Sequence, residues 1–97
     1  MKTLKPLTIP TLAVKHYGAE HQKKKAIEEM GELITAISRE QDGRATPEQV
    51  ITEIADVTIM MRQLTEIYGR DAVGDEIQRK IRRLSRRMDK ELKTKKE

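Results

Sequence analysis

Two pairs of carboxylates spaced i, i+3 are the feature of this chain best suited to chemistry: Glu29 with Glu32, and Glu53 with Asp56. No other Asp or Glu residues in the 97-residue sequence share that spacing. Residues three apart occupy the same side of a helix, one turn on, so each pair presents two carboxylates to one region. Two such helices, adjacent and antiparallel, bring four carboxylates to one point. Either pair alone would be an ordinary solvated feature in a chain that is 37% charged. Their placement relative to the apolar stripes makes them more than that. At about 100° per residue, Glu53 falls in angular order between Leu64 and Met60, and Asp56 falls just beyond Ile67. Glu29 falls between Leu33 and Ala36, at the edge of the apolar arc and near Gln22. Glu32 lies a little further round, and Glu28 points away from the core.

Carboxylates in or beside a buried arc need compensation from a Lys or Arg, a bound proton or a cation. Four around one point favour a cation, because one or two salt bridges leave charge unneutralised. Oxygen ligands without His or Cys suit a hard ion, Mg²⁺, with Mn²⁺ as a possible substitute.

The elements that must position these acids are helices. The first helix is expected to begin near Thr8 or Pro10, since Pro suits a first turn, and to stop at Gly18. The second is expected from about Ala19 to Glu40, where Ala26, Ile27, Met30, Leu33, Ile34 and Ile37 recur at helical spacing. Gln41-Asp42-Gly43-Arg44 reads as a turn. Thr46-Pro47-Glu48-Gln49 reads as a capping box: Thr46 is the cap, Pro47 the first helical residue and Gln49 the reciprocal partner. The third helix should run to about Tyr68 and stop at Gly69, and a fourth should open near Asp71. The fourth carries a narrow stripe of Val73, Ile77, Ile81, Leu84 and Met88. Residues 1–9 are expected to be irregular, and the charged stretch from Lys90 to Glu97 to fray. Short connections between long helices imply antiparallel neighbours, hence one all-α domain of four helices spanning residues 1–97. Met30, Met60, Met61 and Met88 are core positions in that unit.

Composition agrees with that class. There is no Trp or Phe, only Tyr17 and Tyr68, and no Cys, so disulfides, zinc–thiolate sites and thiol nucleophiles are excluded. No apolar run approaches a membrane span and no signal peptide is evident, so a cytoplasmic protein is expected. Charge is unevenly spread. Residues 76–97 carry ten Lys/Arg against four Asp/Glu, a net of +6, while the first 75 carry ten against twelve. A chain this short hides a limited core, so association with copies of itself is a natural source of further burial.

Glu28-Glu29-Met30-Gly31-Glu32-Leu33, followed by Glu53-Ile54-Ala55-Asp56-Val57, resembles the E-E-x-x-E … E-x-x-D signature of the MazG-like all-α nucleoside triphosphate pyrophosphohydrolases. His16-Tyr17-Gly18 with Gln22 before it, and Lys80 to Arg87 after it, are similar to the compact single-domain members of phages and bacteria. The likeness covers roughly residues 12 to 88. It implies a four-helix unit assembled as a homodimer or homotetramer in a larger helical bundle. It also implies Mg²⁺-dependent cleavage of nucleoside triphosphates, dNTPs foremost, between the α- and β-phosphates, in the bacterial or phage-host cytoplasm. Carried over, Glu29, Glu32, Glu53 and Asp56 are catalytic metal ligands, one of which also orients the attacking water, and Glu28 lies behind them. Many relatives carry an Asn in the last helix, where this chain offers only Arg82 or Ser85.

Lys80, Arg83 and Arg87 share one shoulder of the fourth helix and are candidates to hold the triphosphate, with a solvated basic face as the plain alternative for Arg83. Gln22, two turns before Glu29, is either a contact to base or sugar or a polar core residue. His16 and His21 are too few and too far from the acids to form a ligand cluster. Two other functions fit parts of the sequence. A phosphoribosyl-ATP pyrophosphohydrolase would use similar acids on similar helices. A non-enzymatic, basic nucleic-acid-binding or regulatory protein would explain the cationic last helix. The chain offers neither a clear helix-turn-helix pattern nor an aromatic platform for the latter.

Overall fold

The computed structural model describes residues 8–96, with side chains to residue 94. Residues 1–7 of the expected irregular start, and Glu97, lie outside the described residues. Four helices and no strand are present among the described residues: α1 (Ile9–Tyr17), α2 (Ala19–Gln41), α3 (Pro47–Tyr68) and α4 (Arg70–Lys96).

Local signals place each boundary. Pro10 sits in the first turn of α1, where its missing N–H costs nothing. Gly18, at φ +93°, ends that helix and donates its N–H to Val14 O at 2.8 Å. At the end of α2, Gly43 has φ +74°; its N–H reaches Glu40 O at 3.0 Å and the Arg44 N–H reaches Arg39 O at 2.8 Å. Those two bonds make a Schellman motif, which satisfies carbonyls left over at the helix end. The capping box forms as expected. Thr46 N–H donates to Gln49 Oε1 at 2.8 Å, and Gln49 N–H donates to Thr46 Oγ1 at 3.3 Å.

Contacts divide the chain into two compact units, breaking between Ile67 and Tyr68. The first holds α1, α2 and α3. Gln22, early in α2, bonds Gln63, late in α3, while Glu29 meets Glu53 and Asp56 further along, so α2 and α3 run antiparallel. In each pairing of facing residues the two numbers total about 85, which sets Glu32 level with Glu53. Among the described residues Pro10, Ala26 and Met60 are the buried apolar ones, and three polar residues, Gln22, Glu29 and Gln63, are buried too. Of the four methionines assigned to the core, only Met60 is buried within the single chain; Met61 and Met88 are exposed. Ile27 (67% exposed) and Ile34 (69%) lie on one face of α2 and Ile54 and Met61 on one face of α3, none of them covered.

The second unit is α4. Its stripe of Ile77, Ile81, Leu84, Met88 and Leu92 is exposed along its whole length. The helix continues to Lys96, through the stretch expected to fray. An Asp89–Lys93 ion pair at 3.2 Å and a bond from Thr94 Oγ1 to Lys90 O support that last stretch.

Candidate functional site

The antiparallel pairing of α2 with α3 brings Glu29, Glu53 and Asp56 together. One carboxylate oxygen from each lies within 4.8 Å of the other two. Glu29 is 9% exposed and Glu53 half-buried. Oε2 of Glu29 and Oε2 of Glu53 are shielded from solvent, and neither has a hydrogen-bond partner. A water-excluded carboxylate oxygen without a donor is costly, and two in one place call for compensation by a proton, an ammonium or a cation.

The protein supplies one cation. Lys25 Nζ lies 3.2 Å from Glu29 Oε1 and 3.8 Å from Glu28. The hydrogen bond to Glu29, and then the Glu28 charge, hold the Lys25 ammonium above its ordinary pKa. One ammonium cannot neutralise three carboxylates, and it sits on the oxygen of Glu29 opposite the unpartnered one. Sequence reasoning missed Lys25, although its position four residues before Glu29 was a readable signal.

Glu32 is exposed and stands outside the close group of three. It remains electrostatically tied to it. A hydrogen bond shared with Glu29, the Glu29 charge, partial desolvation and the Glu53 charge all raise its pKa above the ordinary carboxyl value. Glu28 faces solvent with Lys25, as its angular position suggested.

Gln22 is 5% exposed, and both ends of its amide are engaged. Nε2 donates to Gln63 Oε1 at 2.7 Å, and Oε1 lies 2.7 Å from His21 Nδ1. The polar-core account describes this residue as it stands. Gln63, 4% exposed, also approaches Met60 Sδ at 3.7 Å. It went unremarked in the sequence, though it carries the signal that drew attention to the acids, a polar side chain within an apolar arc. His21 stacks on Tyr17, with ring centres 5.6 Å apart, and Tyr17 meets His16 edge-on. Neither histidine belongs to the acid group.

Lys80, Arg83 and Arg87 belong to the second unit. All three are exposed along one side of α4, and Lys80 lies 3.9 Å from Glu76. Arg79 donates to both carboxylate oxygens of Glu76, which holds that carboxyl below its ordinary value.

The donor set is hard and anionic, and two of its oxygens, on Glu29 and Glu53, are buried without a partner. It therefore fits Mg²⁺ or Mn²⁺, and it does not fit a soft ion that prefers thiolate or imidazole. No protein-family model, curated protein or solved structure matches this chain.

Proposed function

We propose that the chain is a MazG-like nucleotide pyrophosphohydrolase that uses Mg²⁺ to cleave nucleoside triphosphates, dNTPs foremost, into monophosphate and pyrophosphate. The observation that carries this reading is the pair of unpartnered, water-shielded oxygens on Glu29 and Glu53, within one cluster with Asp56. Glu29, Glu53 and Asp56 hold the ion, and Glu32 joins them from one helical turn away. When bound, Mg²⁺ supplies Lewis-acid stabilisation of phosphate oxygens and lowers the pKa of a coordinated water. Around it, a carboxylate of the cluster orients the attacking water. Lys25 holds one oxygen of Glu29 and leaves the other for the ion. Glu28 holds Lys25 from the solvent side.

The same reading includes a homodimer or homotetramer. Ile27, Ile34, Ile54 and Met61 in the first unit, and the α4 stripe in the second, are too extensive an uncovered apolar surface for a stable isolated chain. No helix among the described residues is long and apolar enough to cross a membrane.

The test is incubation with a panel of dNTPs and NTPs, with Mg²⁺ or EDTA, and separation of the products by anion exchange. Glu53→Gln is run alongside. Monophosphate and pyrophosphate, lost with EDTA and in the variant, are expected. Diphosphate with phosphate would place cleavage at a different bond. Turnover of phosphoribosyl-ATP alone would move the chain to that neighbouring activity. Inertness towards every nucleotide, with salt-sensitive DNA binding independent of Mg²⁺, would replace the enzyme by a nucleic-acid-binding protein.

A further inference from the structure

A cleft of about 680 Å³ opens beside the acid cluster, between α2 and α3, and extends to the turn that joins them. Glu32 and Glu53 line one end, and Arg39 and Arg44 the other. We propose that this cleft receives the pyrophosphate end of a polyphosphate ligand, with Arg39 and Arg44 as its anion-binding groups. The proposal rests on the reading of the acid cluster as a divalent-metal site.

Four observations carry it. Arg39 follows Glu32 by seven residues, roughly 10 Å along the helix at 1.5 Å per residue, so one extended ligand can reach both ends. The Schellman motif binds the two arginines to each other: the Arg44 N–H donates to Arg39 O at 2.8 Å, and Gly43 at φ +74° turns the chain between them. Both guanidiniums are available. Among the described residues no ion pair engages Arg39, and Arg44 has only a 3.7 Å pair with Asp42 in which both side chains are largely exposed. Finally, the walls offer little competition as donors. The Thr35 and Thr52 hydroxyls bond backbone carbonyls of their own helices, which leaves the Gln49 amide as the neutral side-chain donor beside the arginines.

These features select the phosphate end of a nucleotide over the nucleoside end. Two guanidiniums match phosphate oxygens in a planar, bidentate way. No aromatic side chain lines the cleft to stack on a base. Three carboxylates, Glu28, Glu32 and Glu53, outnumber the two arginines along the walls. An anion therefore enters once a divalent ion offsets the acids, so pyrophosphate binding requires the metal.

The test is calorimetric titration of pyrophosphate, and separately of deoxynucleoside monophosphates, into the full chain with saturating Mn²⁺. Wild type, Arg39→Gln, Arg44→Gln and the double variant are compared, with Mn²⁺ affinity measured for each. The double variant should bind pyrophosphate at least about tenfold more weakly, with Mn²⁺ and monophosphate affinities retained. Unchanged pyrophosphate affinity alongside intact Mn²⁺ binding would overturn the assignment. So would a loss confined to the monophosphates, which would put the nucleoside at the arginine end. Failure of the wild type to bind Mn²⁺ would instead bring down the metal reading, and this inference with it.

Discussion

Replacing Glu29 with Gln removes one charge from the acid cluster at nearly constant volume, and its effect on stability should change sign with the metal. Two unit charges 4.8 Å apart, the outer limit among the three carboxylates, repel by about 3.5 kcal/mol at an effective dielectric near 20, and by about 0.9 kcal/mol in water. Glu29 is buried and Glu53 half-buried, so each repulsion lies between the two figures, and relief from both comes to at least about 2 kcal/mol. Against this stands the loss of the Lys25 pair. The Lys25 side chain is 43% exposed, which limits that pair to about 1 kcal/mol or less. In EDTA at low salt the variant should therefore be more stable than wild type by at least about 1 kcal/mol, a rise of about 4–8 °C in melting temperature for each kcal/mol. With Mn²⁺ at a hundred times its dissociation constant, wild type gains about 2.7 kcal/mol, which a variant lacking one ligand does not match, so the order reverses. Thermal melts by circular dichroism at fixed protein concentration, with EDTA and with Mn²⁺, read both effects. A variant that melts below wild type in both conditions would refute the reasoning. It would show that Glu29 stabilises the fold through Lys25 and is not in conflict with its neighbours.

Three further outcomes are expected. Glu32 has a carboxyl pKa raised in the folded state, so the folded chain binds its proton more tightly than the unfolded chain. Its contribution to stability therefore falls as pH rises from the ordinary glutamate value through the raised one and stays lost above it. Without metal, the difference in melting temperature between wild type and Glu32→Gln should widen in the variant's favour over that window, and a flat difference would contradict the assignment. Gln63→Leu leaves the buried Gln22 amide without its acceptor and should cost about 1–3 kcal/mol; adding Gln22→Leu should recover part of that loss, and strict additivity in denaturant melts would show the pair to be uncoupled. Thr46→Ala removes the capping-box hydroxyl and should lower stability by about 0.5–2 kcal/mol, seen as a reduced denaturant midpoint with an unchanged slope.

The helix boundaries were legible because they depend on local chemistry. Gly18, Gly43 and Gly69 all adopt positive φ where helices end, and Thr46 with Gln49 forms the capping box that its spacing announced. The convergence of acids was legible for a related reason. Spacing of three on each helix, together with a short turn, leaves antiparallel pairing as the simple arrangement. The sequence did not show how unequally those acids would be placed. Glu29 is buried and Glu32 exposed although they differ by one turn, because Glu32 lies further round α2 from the face that the register of α2 on α3 brings to the other helix. That register is marked by Gln22 and Gln63, 41 positions apart, a pairing that no local rule reports. Periodicity likewise identified Ile27 and Ile34 as apolar positions, yet it does not reveal whether their cover comes from the same chain. In the last helix, dense charge suggests fraying, while Asp89 and Lys93, opposite charges four apart, favour the helix there.

The central claim is that the unpartnered oxygens of Glu29 and Glu53 belong to a divalent-metal site, and Mn²⁺ binding followed by electron paramagnetic resonance tests it most directly. Wild type should deplete the signal of free Mn²⁺, Mg²⁺ should restore that signal by competition, and Glu53→Gln should bind far more weakly while remaining helical. A folded wild type that leaves the free Mn²⁺ signal unchanged would contradict the account, and the buried carboxylates would then have to be satisfied by protons or by Lys25 alone.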